Sequence, residues 1–225
     1  MSNIQEFVIS NEDQAIELLG SLLNNEINLD HLDLKFDGWP SYHMHVEGAK
    51  YHQTITPSIM NGFLDLQSGI YKSYALIKYD TEATQCLTKI ERQDLEIEVK
   101  VEDGSSSFDI NLTEIGLKLV ESTAGKMSPT QAVVLILSCL VLYFGKNFLQ
   151  QILTAKKEAR ESELEQQRNT EDRKERLETI KLLTEQNEKF VEVMAKANQF
   201  DPRIKKMEQH AAETNASILK SVQDA

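Results

Sequence analysis

Residues 127–145 form an uncharged, largely apolar run between Lys126 and Lys146. Ser128 and Pro129 form a typical helix start, with serine as the N-cap and proline at the first helical position. The run is apolar around its whole circumference. A helix of this kind must be buried on every side, in a bilayer or in a protein core. The rest of the chain has to supply that environment if the membrane does not.

We expect this apolar helix, residues 126–150, to cross a bilayer once. Its length approaches that of a membrane span, and interfacial aromatic residues lie near its C-terminal end. The sequence shows no second layer of helices that would enclose it. The predicted span comprises Ala132, Val133, Val134, Leu135, Ile136, Leu137, Leu140, Val141, Leu142, Tyr143 and Phe144. The alternative is a soluble oligomer in which the apolar helices bundle at the centre.

Charge divides the chain into two parts. Residues 1–127 contain 9 Lys and Arg against 21 Asp and Glu, whereas residues 128–225 contain 15 of each sign. The whole net charge of −12 therefore belongs to the first part. Because an acidic surface repels the phosphate backbone, we expect no nucleic-acid partner.

Residues 1–125 show the patterns of a mixed domain. Alternation of apolar and polar residues predicts strands, and two of them join as a hairpin across residues 38–41. The predicted strands are 4–9, 32–37, 42–47, 95–101 and 108–112. Helices are predicted after Asn11 and after Thr56-Pro57, which have the chemistry of N-caps. We therefore predict an acidic α+β domain with a mainly antiparallel sheet and helices on one side.

Residues 151–225 are predicted to be charged helices, either a helical hairpin or a coiled coil. No proline or glycine occurs from 150 to 199, which favours a long helix, and Asp201-Pro202 predicts a break. After the break, apolar residues recur in steps typical of a packing seam. The candidate residues for oligomerisation are Ile204, Met207, Ala211 and Ile218. A seam within one chain is the alternative interpretation.

The candidate for metal chemistry is the pair His43 and His45. Two histidines two residues apart on a strand share one face and could share a metal ion. The same alternation places them on the ordinary polar face of the strand, and no third ligand lies at diagnostic spacing. No phosphate-binding loop, dinucleotide fingerprint or nucleophile-elbow motif occurs in the sequence. We therefore expect neither a cofactor nor an enzymatic activity.

These features together predict a membrane-anchored, self-associating binding or adaptor protein. Its N-terminal domain, expected on the cytosolic side, would recognise a protein or a small ligand. The C-terminal helices would mediate oligomerisation or contact with a partner. A membrane-perturbing effector that acts by clustering its spans is an alternative, although few small polar residues lie in the span to line a pore.

Overall fold

A computed structural model describes residues 7–27, 29, 34–45, 56–101, 107–123, 125–150, 152–153 and 187–223. The strands are β1 (Phe7–Ile9), β2 (Leu34–Phe36), β3 (Ser41–His45), β4 (Lys100–Val101) and β5 (Ser107–Asn111). The first helices are α1 (Glu12–Leu23), α2 (Pro57–Tyr79), α3 (Lys89–Asp94), α4 (Thr113–Thr123) and α5 (Pro129–Phe144). They are followed by α6 (146–150 and 152–153), α7 (187–200) and α8 (Pro202–Gln223).

The prediction of an α+β domain with a mainly antiparallel sheet is wrong, because the described structure is mostly helical. The strands are only two to five residues long. β1 pairs with β2 in a parallel two-stranded sheet, and β3, β5 and β4 form a separate antiparallel one. The predicted hairpin across residues 38–41 does not form, since β2 and β3 belong to different sheets.

Local capping signals set the start of three long helices. The side chains of Asn11, Thr56 and Ser128 accept hydrogen bonds from backbone N–H groups in the first turns of α1, α2 and α5. Pro57 and Pro129 directly follow two of these caps, where the missing N–H costs nothing. The helix starts predicted at these positions are confirmed.

The apolar helix α5 lies at the centre of the hydrophobic core. Every residue from Ala132 to Phe144 is at most 9% exposed. Helices α1, α2 and α4 contact α5, and α8 contacts it from the C-terminal part of the chain. These four helices are the enclosing layer that the sequence pattern did not reveal.

The predicted membrane span is therefore wrong. α5 has 16 residues, about 24 Å of helix at 1.5 Å per residue. A span needs about 20 residues to cross a hydrocarbon core of about 30 Å. Within the described ranges, no helix combines the length and hydropathy that crossing a bilayer requires. This finding contradicts the expected single-pass location, and the residues named as the span are core residues.

The C-terminal helices pack on the N-terminal ones. α7 ends before Asp201 and α8 begins at Pro202, as the sequence predicts. α8 lies along α2 and also contacts α5, so that all three helices contribute to one hydrophobic cluster. The division of the chain at residues 125 and 150 stays a prediction. The charged stretch 159–176 lies outside the described residues.

Candidate functional site

A cleft of about 610 Å³ opens between the end of α3, the irregular stretch 95–99 and the first turns of α4. Its lining residues are Gln93, Asp94, Glu96, Ile97, Glu98, Glu114, Ile115 and Lys118. Ile115 is buried and Ile97 is partly buried against the core, so both supply an apolar floor. The other lining groups are polar or charged. We call this feature the acidic cleft.

Gln67 of α2 holds the backbone of residues 95–97, at one edge of the cleft, in place. Gln67 Nε2 donates to the Leu95 carbonyl at 2.8 Å, and the Ile97 N–H donates to Gln67 Oε1 at 2.8 Å. Leu95 is fully buried, whereas Glu96 and Glu98 are exposed. Burial thus alternates from Leu95 to Glu98, as it does where successive side chains lie on opposite sides of the backbone. The two glutamates are thus presented on one side of a fixed backbone.

The buried carboxylate of Glu91 holds α3 against α2 beside the cleft through hydrogen bonds. Glu91 Oε2 accepts a 2.7 Å hydrogen bond from the Thr88 N–H, and Thr88 Oγ1 accepts one from the Glu91 N–H, which completes a capping box. Glu91 Oε1 accepts from Lys78 Nζ and, at 2.8 Å, from the Tyr79 hydroxyl. These contacts fix the helix whose C-terminal end forms one wall of the cleft.

The environment of Glu91 changes its acidity. Burial alone would raise the pKa of this carboxyl, but the hydrogen bonds from Lys78, Thr88 and Tyr79 outweigh that effect. They lower the pKa of Glu91 from 4.5 to about 2. Burial would lower the pKa of Lys78, yet its hydrogen bonds to Glu91 and Tyr74 raise it above its usual range. Both groups therefore stay charged at neutral pH.

Replacing Glu91 with glutamine is expected to destabilise the protein at neutral pH, because the partly buried Lys78 loses its charged partner. The wild-type carboxylate contributes stability that is complete above its unfolded pKa near 4.5 and is lost as the pH falls through about 2. The difference in free energy of unfolding between wild type and Glu91→Gln should shrink along that range. Urea unfolding at about pH 7, 4 and 3 measures it.

The exposed Glu121 provides the control for this series. Glu121→Gln removes a carboxylate that is 68% exposed and is expected to leave the unfolding curves nearly unchanged at each pH. A difference between wild type and Glu91→Gln that stays constant down to the lowest pH would contradict the assignment of the lowered pKa.

Negative charge dominates the acidic cleft. The carboxylates that line it are Asp94, Glu96, Glu98 and Glu114, and the ammonium group is that of Lys118. Lys118 Nζ lies 3.3 Å from Glu121 Oε2 and 3.9 Å from Asp94 Oδ2. Those carboxylates raise the pKa of Lys118, the Glu121 hydrogen bond most of all. The cleft keeps a surplus of carboxylates after Lys118 is counted, which favours a cationic ligand.

The predicted metal pair lies on β3, away from the acidic cleft in sequence. His43 is opposite Asp109 and His45 is opposite Ser107 in the register of β3 and β5. The side chains of both histidines lie outside the described residues, so metal binding by this pair stays a prediction. Among the side chains that the structure does describe, no group of three or more His, Cys, Asp or Glu is arranged to hold a metal ion.

The residues predicted to mediate oligomerisation lie inside the chain. Ile204, Met207 and Ala211 are fully buried, and Ile218 is 2% exposed, where α8 packs in the core with α2 and α5. This packing is the seam within one chain that the sequence left open as an alternative. Self-association through these helices stays a prediction.

Sequence reasoning missed the residues that build the cleft. Thr88 and Glu91 have the spacing of a capping box, and this motif could have predicted the start of α3 from the sequence. Gln67 gave no such signal, since its two hydrogen bonds join positions 28 and 30 residues away. The alternation that placed Glu96 and Glu98 on one polar side was visible, but the neighbouring wall from α4 was not.

Comparison of the chain with protein-family models, with curated proteins and with solved structures gives no match. The chemistry of the acidic cleft is therefore the basis for a functional hypothesis.

Proposed function

We propose that the protein is a binding or adaptor protein that takes a positively charged, extended segment of a partner protein into the acidic cleft. The observation that carries the proposal is the cleft itself, where four carboxylates and one lysine surround an apolar floor. We propose binding rather than catalysis because the residues that line the described cleft supply carboxylates and apolar surface. None of these lining residues is a nucleophile with a neighbouring general base, as covalent catalysis would require. Phosphate-bearing ligands would be repelled.

The spacing of the carboxylates favours a peptide over a compact cation. Glu96 and Glu98 lie two positions apart and are both exposed, with the less exposed Ile97 between them. Positions with this spacing in an extended chain are about 6.6 Å apart. Alternate side chains of an extended peptide have the same spacing. Lysine and arginine also have long aliphatic stems, which can cover Ile97 and Ile115 while their charged ends reach the carboxylates.

The proposal predicts that a fluorescent peptide of about eight residues, alternating lysine and threonine, binds the full-length protein. The triple variant Glu96→Gln/Glu98→Gln/Glu114→Gln should weaken binding by about tenfold or more, because it removes most of the charge that attracts the peptide. Fluorescence anisotropy at about 0.1 M salt measures the dissociation constant, and affinity should fall further as salt is raised.

A matched control separates the cleft from the overall charge. Glu17→Gln/Glu188→Gln/Glu192→Gln removes three exposed carboxylates from α1 and α7 and changes the net charge by the same amount. The proposal expects this control to bind like the wild type. Equal weakening in both triple variants would show attraction to net charge only and would contradict it. Displacement of the peptide by spermine at equal affinity would instead indicate a site for small polyamines.

A further inference from the structure

Helices α5 and α6 are separated by a single residue, Gly145, whose backbone is extended with φ −81° and ψ 133°. Helical bonding continues on both sides of it. The Gly145 N–H donates to the Val141 carbonyl at 2.9 Å, and the Leu149 N–H donates to the Gly145 carbonyl at 3.4 Å. The two helices therefore differ from one continuous helix by a local change at a single position.

Two buried side chains replace the hydrogen bonds that the interruption removes. In a continuous helix, the N–H groups of Lys146 and Asn147 would donate to the carbonyls four residues earlier. Here they donate to Glu12 Oε2 at 2.8 Å and to Glu12 Oε1 at 3.1 Å. The Leu142 carbonyl, left without Lys146, accepts instead from Asn215 Nδ2 at 3.3 Å. Glu12 comes from α1 and Asn215 from α8.

The arrangement in which α5 and α6 are separate helices, called the bent arrangement below, also requires glycine at position 145. A Cβ atom there would overlap the Val141 carbonyl oxygen and Glu12 Oε1. An alanine is therefore excluded from the bent arrangement, although it is the most favourable residue in a continuous helix. Glu12 and Asn215 are 5% and 2% exposed, so both side chains are buried at the junction.

We propose that the α5–α6 junction is a hinge at Gly145 with two states, bent and straight. In the bent state, which is the structure described above, the side chains of Glu12 and Asn215 bind backbone groups that would otherwise bond within one continuous helix. In the straight state the N–H groups of Lys146 and Asn147 bond to the carbonyls of Leu142 and Tyr143. The N–H groups of Lys146 and Asn147 and the Leu142 carbonyl therefore have a partner in either state, which lets both states exist in one folded protein. Straightening changes the direction in which the chain leaves α6.

The charge on Glu12 biases this hinge. Burial raises the pKa of the Glu12 carboxyl, and the hydrogen bonds from Asn147 and Lys146 and the charge of Lys146 offset only part of that effect. Around Glu12, α5 contributes no charged residue, α6 contributes Lys146, and Lys189 of α7 pairs with Glu17 at 3.3 Å. A released Glu12 would return to its ordinary pKa. Protonation therefore favours the bent state, and the straight state gains population as the pH rises.

A spin-label distance measurement tests the hinge in the full chain. The labels are placed at Glu17→Cys in α1 and Gln150→Cys in α6, in a Cys86→Ser background, because Cys86 is exposed. Buried Cys139 stays, since burial raises its pKa to about 12 and keeps it unreactive. We expect Gly145→Ala to move the population to a second distance and to keep cooperative unfolding. Glu12→Ala should act in the same direction.

Asp13→Ala is the matched control, because it removes the exposed neighbouring carboxylate of the same helix turn, and it should keep the wild-type distance. Because the straight state pairs the amides of Lys146 and Asn147 with the carbonyls of Leu142 and Tyr143, their hydrogen exchange in Glu12→Ala should stay within about tenfold of this control. A larger increase would show a frayed junction with unpaired amides and would contradict the hinge. A Gly145→Ala protein that folds with the wild-type distance would overturn the hinge. If Gly145→Ala does not fold, the wild type decides: one unchanging distance from about pH 4 to pH 8 would overturn it as well.

Discussion

Replacing Leu135 with alanine should lower the free energy of unfolding by about 2–5 kcal/mol, one of the two largest effects expected for a single substitution in this chain. Leu135 is fully buried in the middle of α5, between helices from both ends of the sequence. The substitution removes apolar contacts and leaves a cavity that neighbouring side chains fill only in part. Urea unfolding followed by circular dichroism measures the change.

The same substitution at an exposed leucine provides the control. Leu64 lies on α2 and is 62% exposed. Leu64→Ala is expected to change the free energy of unfolding by less than about 0.5 kcal/mol. Equal effects at Leu135 and Leu64 would show that α5 is not enclosed by the other helices.

Replacing Asp201 with alanine should cost about 3 kcal/mol or more, because it leaves the guanidinium of Arg203 partly buried without its partner. Asp201 Oδ2 accepts from Arg203 Nη2 at 2.7 Å and from Gln131 Nε2 at 3.0 Å. Arg203 also donates to the Ile77 carbonyl at 3.5 Å. One carboxylate thus joins the start of α8 to the start of α5 and, through Arg203, to the end of α2.

The Asp201 substitution tests whether the C-terminal helices are part of the same cooperative structure. Burial would raise the pKa of Asp201, but its hydrogen bonds to Arg203 and Gln131 lower it, so its contribution is lost only as the pH falls below the usual range of an aspartate. Glu192→Ala removes an exposed ion pair with Lys196 on α7 and is expected to have no measurable effect. A single unfolding transition that shifts as a whole in Asp201→Ala would support the packing of α8 on α2. Loss of α8 alone, with the rest unchanged, would contradict it.

Local chemistry made some of these elements predictable from the sequence. The caps at Asn11, Thr56 and Ser128 and the break at Asp201-Pro202 depend on residues within one helix turn, and the structure has them where the sequence places them. The apolar run did form a helix. Its environment depended on contacts with α1, α2, α4 and α8, which no local pattern records, and the membrane interpretation failed for that reason.

Strand patterns were less informative than helix caps. The alternation of apolar and polar residues in 32–47 did indicate strands, since β2 and β3 lie within this stretch. Strand pairing, however, depends on partners elsewhere in the chain, and β3 pairs with β5 rather than with β2. The acidic cleft was equally difficult to predict from the sequence. Its glutamates were visible on one side of an alternating stretch, whereas Gln67 and the start of α4 come from distant sequence positions and meet them only in the fold.

The most direct test of the proposed binding function is a map of backbone amide chemical shifts during titration with the alternating lysine–threonine peptide. We expect the largest shifts at residues 94–98 and 114–118, at the two walls of the acidic cleft. We also expect these shifts to disappear in the Glu96→Gln/Glu98→Gln/Glu114→Gln variant. Shifts spread over all acidic surfaces, or concentrated on another face of the molecule, would contradict the proposed function.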